Sequence, residues 1–367
     1  SQEKEYVPTI IIPGLFQSET YAYENGEILC DANGEPIPGP FYVTIGEEEI
    51  TEIITKALIP VTRMFISQED KDQLAAKEVS KILGNILMGK QRSDANGNMI
   101  DDTRAVLYPG SMAEVTDAEL EYVLNQFPIQ EYFDIAGKEN MYVFNYVSTG
   151  NMIQTAKGLY DYIQFVKEDT GAEKVNIVPV SQGGSISTAL LKYYDEQNIS
   201  VSRDINRIIY VVPALDGAAL LSDCYRYGFN KNSAALYTTA MPSVIGYENY
   251  LGYIINIAMR LMPKTDIDVL LDEIANAMIN DYLKYSTLMW GLVTSEDYPV
   301  CREKYLMGDD MAEIRRQADW YYDAQLNSEN YITEAIKDGV KVFDIVDTNV
   351  ELYQLAVSHD KQNCDTT

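Results

Sequence analysis

The stretch Asn176-Ile177-Val178-Pro179-Val180-Ser181-Gln182-Gly183-Gly184 decides how this chain folds. Its first half is an apolar run of strand length with β-branched residues, as expected for a buried strand. A serine and two glycines then lead into 184–196, which has helical character. A strand that passes into a helix over so few residues must turn tightly. Such a turn pushes the serine oxygen out above the sheet, and it needs small residues on both sides because the helix passes close to the strand. The backbone N–H of Gln182 then faces outward from the helix start, where the helix dipole favours negative charge. On these residues alone a plainer reading stays open, in which Ser181 only caps a helix.

Working outward, Met141–Val147 and Arg207–Val212 read as further buried strands, flanking the strand Lys174–Val180. Between the first two, residues 151–170 place Ile153, Ala156, Leu159, Tyr160, Ile163 and Val166 on one helical face, with Gly171 positioned to end the helix. Strand–helix–strand–helix–strand is the pattern of a parallel sheet. Residues 6–14 form another strand closed by Pro-Gly, and Val340–Val346 a last one. Residues 48–90 have helical spacing, and from Asp216 to about residue 336 helix-like stretches dominate. The expectation is an α/β core from residues 1–215 and 337–367, with a helical insertion at about 47–135 and a largely helical cap over 216–336. Asp-Ala-Asn-Gly occurs at 31–34 and at 94–97, and both copies are expected to be tight hairpin turns, because Asn and Gly tolerate positive φ. The second, with Asp94, Asn96, Asn98 and Asp102, is loosely like a calcium loop. It lacks the glycine and the final acid of such a loop, Ala105 standing at the latter position, so a solvated turn is expected.

Around these residues the sequence resembles the α/β-hydrolase fold, and within it the lipase and lecithin:cholesterol acyltransferase branch. Ile11-Ile12-Pro13-Gly14-Leu15-Phe16 is similar to that family's strand-end oxyanion loop. Pro179-Val180-Ser181-Gln182-Gly183-Gly184 is similar to its nucleophile elbow, with Pro179 replacing the first glycine of G-x-S-x-G. The resemblance implies that Ser181 is a nucleophile, that the N–H groups of Leu15 and Gln182 form an oxyanion hole, and that an acid and a histidine follow in that order. Two assignments remain. Asp347, at the end of the last strand, pairs with His359; or Asp365 is the acid and the histidine lies beyond Thr367. Gln362-Asn363-Cys364-Asp365 is similar to the Asn-x-Asp-Gly loop of lipases, with Thr366 in place of the glycine.

The implied activity is hydrolysis of carboxylic esters, of lipids or acylated small molecules, through an acyl-enzyme and without a cofactor. An amidase or acyltransferase using the same serine, or a non-catalytic binding protein on this fold, are the alternatives. The cap occupies the place where such lipases carry lids. In it, Leu251, Ile254, Ile255, Ala258 and Met262 make an apolar stripe that reads either as cap core or as a surface for acyl chains and transient lipid contact. Leu288-Met289-Trp290-Gly291-Leu292 is a candidate lining for the same pocket.

The counts exclude more than they assign. The 367 residues carry 28 Lys+Arg against 56 Asp+Glu, a net charge of −28, which repels nucleic acid. His359 is the only histidine, so a multi-histidine metal centre is excluded and no metal is called for. Cys30, Cys224, Cys301 and Cys364 form no C-x-x-C pair, so the common zinc and thioredoxin-type patterns are absent. No apolar run is long enough to span a membrane. The acidic charge and lack of an anchor suit a secreted or cell-surface protein, with the cytoplasm also open. On an extracellular reading Cys224 and Cys301 are expected to staple the cap.

Overall fold

The computed structural model describes residues 6–31, 33–37, 39, 91–228, 268, 272–273 and 275–346. In chain order the strands are β1 (Thr9–Ile12), β2 (Thr20–Glu24), β3 (Glu27–Ile28), β4 (Thr103–Ala105), β5 (Met141–Val143), β6 (Val175–Pro179), β7 (Ile205–Val211) and β8 (Lys341–Ile345). Five of them make one sheet in the order β5-β1-β6-β7-β8. Every pairing in it is parallel: Thr9 lies opposite Met141 and Asn176, Ile208 opposite Ile177, and Val211 opposite Ile345. β3, β2 and β4 form a small antiparallel sheet that leaves from the end of β1.

The period-two alternation of β1 divides the interior. Ile10 and Ile12 face one core, with Tyr142, Val175 and Ile177, while Ile11 faces the other, with Met141, Val143 and Val178. Helices α1 (Asp117–Gln126) and α2 (Gln130–Ala136) cover the Ile11 face through Val123 and Phe133, with Phe127 between them. The opposite face is covered by α3 (Met152–Thr170) and α4 (Gln182–Glu196). Local signals set the limits of α3. The Asn151 carboxamide accepts from the Gln154 N–H at its start, and Gly171 stops it in a left-handed conformation, φ 69°.

After β7 come α5 (Ala219–Tyr227), α6 (Tyr298–Tyr305), α7 (Ala312–Leu326) and α8 (Ser328–Lys337). Tyr225, Trp290, Tyr298, Tyr305 and Ile314 form a third buried cluster, separate from the two sheet faces. Within the span expected as a cap, α7 also turns Tyr321 and Ala324, and α8 turns Ala335, into the core against α4. These two helices therefore serve the sheet as well. Leu288 is fully buried in that sheet core, and Met289, Trp290 and Leu292 in the third cluster, so the expected pocket lining is core packing instead. The apolar stripe at 251–262 lies outside the described residues, as do residues 47–90 of the expected insertion. The described part of that insertion holds β4 and turns as well as α1 and α2.

Both Asp-Ala-Asn-Gly turns close short antiparallel contacts, Cys30 with Pro36 and Ser93 with Met99. Among the described residues of the two turns, only Gly34 and Gly97 take positive φ. The asparagines do not, because the aspartate sets the turn: Asp94 Oδ1 accepts from the N–H groups of Asn96 (2.8 Å) and Asn98 (3.0 Å), and Asp31 Oδ1 does the same for Asn33 and Glu35. The expected disulfide is not formed. Cys224 and Cys301 are free thiols inside the protein, and burial pushes both up to about 12. Among the described residues no helix is long and apolar enough to cross a membrane, and no cluster of three or more His, Cys, Asp or Glu side chains is arranged to hold a metal.

Candidate functional site

Three non-glycine residues with positive φ mark one end of the sheet. Phe16 (φ 59°) follows β1, Ser181 (φ 48°) follows β6 and Val212 (φ 41°) follows β7. β1 and β7 are the two neighbours of β6. Such conformations cost about 1–3 kcal/mol each, and a β-branched residue such as valine adopts them with particular reluctance. Strain gathered at three adjacent strand ends marks a site.

At the centre Ser181 has φ 48° and ψ −113° and is partly exposed. Its side chain makes no capping hydrogen bond to α4, which rejects the reading of it as a plain helix cap. The backbone is pinned on both sides. Val180 N–H donates to the Ile12 carbonyl, Ser181 N–H to the Val211 carbonyl, and Ala214 N–H to the Ser181 carbonyl, at 2.9–3.0 Å. The two glycines are sterically required. A methyl group on Gly183 would lie 2.4 Å from the Ile12 carbonyl oxygen, and one on Gly184 would lie 2.8 Å from Pro213 Cβ. Pro179, where the hydrolase pattern has glycine, is the last residue of β6 and sits opposite Ile12.

The β1 loop comes in beside the serine. A methyl group on Gly14 would lie 3.0 Å from Ser181 Cβ, so the Gly14–Leu15 backbone passes directly against it. Gly14 to Gln17 form a turn closed by Gln17 N–H donating to the Gly14 carbonyl (3.1 Å). Gly14 N–H donates to Gln17 Oε1 (2.8 Å), and Phe16 N–H to Ser148 Oγ (2.9 Å). Pro13 has no N–H. Among the described residues, Leu15 N–H is therefore the one donor of this loop that has no partner in the protein. The elbow shows the same arrangement. Ser181, Gly183 and Gly184 N–H groups are paired, and that of Gln182 has no partner among the described residues. Unpaired N–H groups are ordinary at a helix start and at a partly exposed loop residue such as Leu15; what singles these two out is that they flank a strained serine.

Of the residues singled out in the sequence, Ser181, Leu15 and Gln182 are brought together. Asp347, His359 and Asp365 lie outside the described residues. Several residues at the site gave no sequence signal. The Tyr146 hydroxyl donates to the Pro13 carbonyl (2.7 Å) and to Gln182 Oε1 (3.0 Å), and Gln182 Nε2 donates to the Ser148 carbonyl (3.2 Å). Tyr146 N–H donates to Ser18 Oγ (3.1 Å), and Asn145 Oδ1 accepts from Glu19 N–H. Burial raises the Tyr146 phenol above its ordinary range, so it stays a neutral donor. Ser185 Oγ, one turn into α4, donates to the carbonyls of Ala214 (2.8 Å) and Gly291 (3.2 Å), joining the elbow to the segments after β7. The Leu15 side chain packs against the third buried cluster.

No protein-family model matches this chain, and no curated protein sequence is similar to it. Among solved structures, the crystal structure of the Tle4–Tli4 complex is similar over 92% of this chain and 74% of that chain, at 12% identity and a TM-score of 0.33. That likeness is too distant to carry any chemistry across. The fold rests on the molecule's own features: a five-stranded parallel sheet with helices on both faces and a strained serine at a strand-to-helix turn make this an α/β protein with an α/β-hydrolase-like core.

Proposed function

We propose that this protein is a serine hydrolase that cleaves carboxylic esters. Ser181 Oγ attacks the ester carbonyl carbon while a histidine takes the hydroxyl proton. The carbonyl oxygen becomes an oxyanion and accepts hydrogen bonds from Leu15 and Gln182 N–H. Collapse of the tetrahedral adduct expels the alcohol, which takes the proton back from the histidine, and water then releases the acyl group by the same steps. The observation that carries this reading is the accounting of N–H groups: in the β1 loop (14–17) and the elbow (181–184) flanking a serine at positive φ, the donors without a partner among the described residues are those of Leu15 and Gln182. Each such donor is worth about 3 kcal/mol in the transition state. His359, the chain's one histidine, is proposed as the base, with Asp347 as its acid.

The test is reaction with a fluorophosphonate probe followed by peptide mapping. Labelling at Ser181 that disappears in Ser181→Ala is expected. Equal labelling of both proteins, or none of either, would overturn the proposal, and the second result would leave a binding protein on this fold as the better account.

A further inference from the structure

We infer that Tyr146, with Ser148, is a positioning residue that holds the Leu15 N–H in place, an inference that rests on the hydrolase reading above. The Gly14–Gln17 turn cannot hold its shape alone. Phe16 adopts φ 59°, which costs a bulky residue free energy that the turn's own single backbone hydrogen bond does not secure. The Tyr122 hydroxyl holds the turn's far end through the Gln17 and Ser18 carbonyls, and the restraints on Pro13 and Phe16 come from the segment after β5. β5 leaves the sheet at Val143, and Phe144 N–H makes the last backbone bond to β1, to the Ile11 carbonyl. From there side chains take over. Tyr146 grips the Pro13 carbonyl, and Ser148 grips the Phe16 N–H, 132 residues away in sequence. These two contacts flank Gly14 and Leu15, one on each side.

The same two residues reach the elbow. Gln182 is fully buried, with Oε1 on the Tyr146 hydroxyl and Nε2 on the Ser148 carbonyl. One phenol hydrogen thus faces both the β1 loop and the residue after Ser181. The two unpaired N–H donors belong to two separate chain segments, and Tyr146 and Ser148 bridge them. An oxyanion hole works because its donors are already placed when charge develops, so their spacing matters more than their strength. Tyr146 touches neither substrate nor reacting atoms in this scheme. It sets a distance.

The consequence is a split between binding and turnover. In Tyr146→Phe the ring still fills its buried site, but the Pro13 and Gln182 contacts go. With p-nitrophenyl butyrate, kcat is expected to fall at least tenfold while KM stays within twofold, because the ground-state ester does not depend on the oxyanion donors. Affinity for phenylboronic acid, which forms a tetrahedral adduct on a nucleophilic serine, should fall by a similar factor. Amide hydrogen exchange in the peptide covering 13–17 should quicken, a readout independent of any activity. Should Tyr146→Phe fail to fold, Ser148→Ala carries the same test, with the same kcat loss and unchanged KM expected. A kcat within twofold of wild type, or a kcat loss matched by a rise in KM with no loss of boronate affinity, would overturn the inference. If the probe fails to label wild-type Ser181, the hydrolase reading and the positioning role fall together. If Ser181 is labelled and Tyr146→Phe behaves as wild type, the positioning role alone is wrong.

Discussion

Gly14 shows how little space separates the two segments of the site. Its φ is ordinary, so alanine is tolerated by the backbone; the conflict lies in what a methyl group would meet. It would lie 2.7 Å from Gln17 Oε1 and 3.0 Å from Ser181 Cβ. The Gln17 amide would have to move, freeing the Gly14 N–H, and the loop would press on the serine. Gly14→Ala should therefore slow fluorophosphonate labelling of Ser181 by tenfold or more. The stability loss should be only about 1–2 kcal/mol by urea titration, typical of a small overpacking. A variant labelled as fast as wild type would mean the loop does not bear on the serine. At this scale the sequence was informative about Ser181, Gly183 and Gly184, whose order is a local pattern. It was silent about Tyr146, Ser148 and Gln17, since a tyrosine among 28 or a serine in a loop carries no periodic mark.

Among the elements, helices with local stop signals came out nearest to expectation. The helix expected over 151–170 spans Met152–Thr170, because Asn151 and Gly171 cap it. Gly171 has φ 69° and open space around it, so alanine there would suffer only from its backbone conformation. Gly171→Ala should cost about 1 kcal/mol in a urea titration and leave labelling of Ser181 unchanged. Strand ends agreed less well. The apolar run Met141–Val147 predicts a strand of that length, yet β5 stops at Val143. Hydrophobic pattern records burial, and Phe144 and Tyr146 are indeed buried. It does not record whether a buried residue pairs by its backbone or grips a neighbouring loop by its side chain. The segment 144–148 does the second.

At the scale of the whole molecule, Asp204 ties together elements that enclose the core at the opposite end of β7 from Ser181. It is fully buried and accepts from Lys167 and Gln164 of α3, Tyr194 of α4 and its neighbour Arg203. Burial alone would raise its pKa, but the hydrogen bonds from Arg203, Lys167 and Tyr194 outweigh it and hold the carboxyl at about 2, below the ordinary 3.8. A carboxyl depressed in the folded state stabilises fully above its unfolded value, and that contribution drains away as pH falls through the folded one. Stability should thus decline between pH 3.8 and about 2 in wild type and decline less steeply in Asp204→Asn. At neutral pH, Asp204→Asn should lose about 3 kcal/mol, the usual cost of removing one partner from a buried ion pair. Urea midpoints measured across that range check both statements, and parallel pH curves for the two proteins would refute the assignment.

Local sequence was enough for the parallel sheet and for the elbow, because both follow from short-range rules. Alternation buries the two faces of β1, and only glycine fits where α4 crosses the Ile12 carbonyl. What tertiary structure alone decided is which N–H groups remain unpaired. The donors of residues 14–17 find their partners partly within the turn and partly in Ser148, far along the chain, and the one left over among the described residues is Leu15. Hydrogen-bond satisfaction is a property of neighbours in space, so no window of sequence can report it. The cysteines make the same point: spacing could not tell whether Cys224 and Cys301 pair, and in the fold both are free thiols, Cys301 buried and Cys224 partly so.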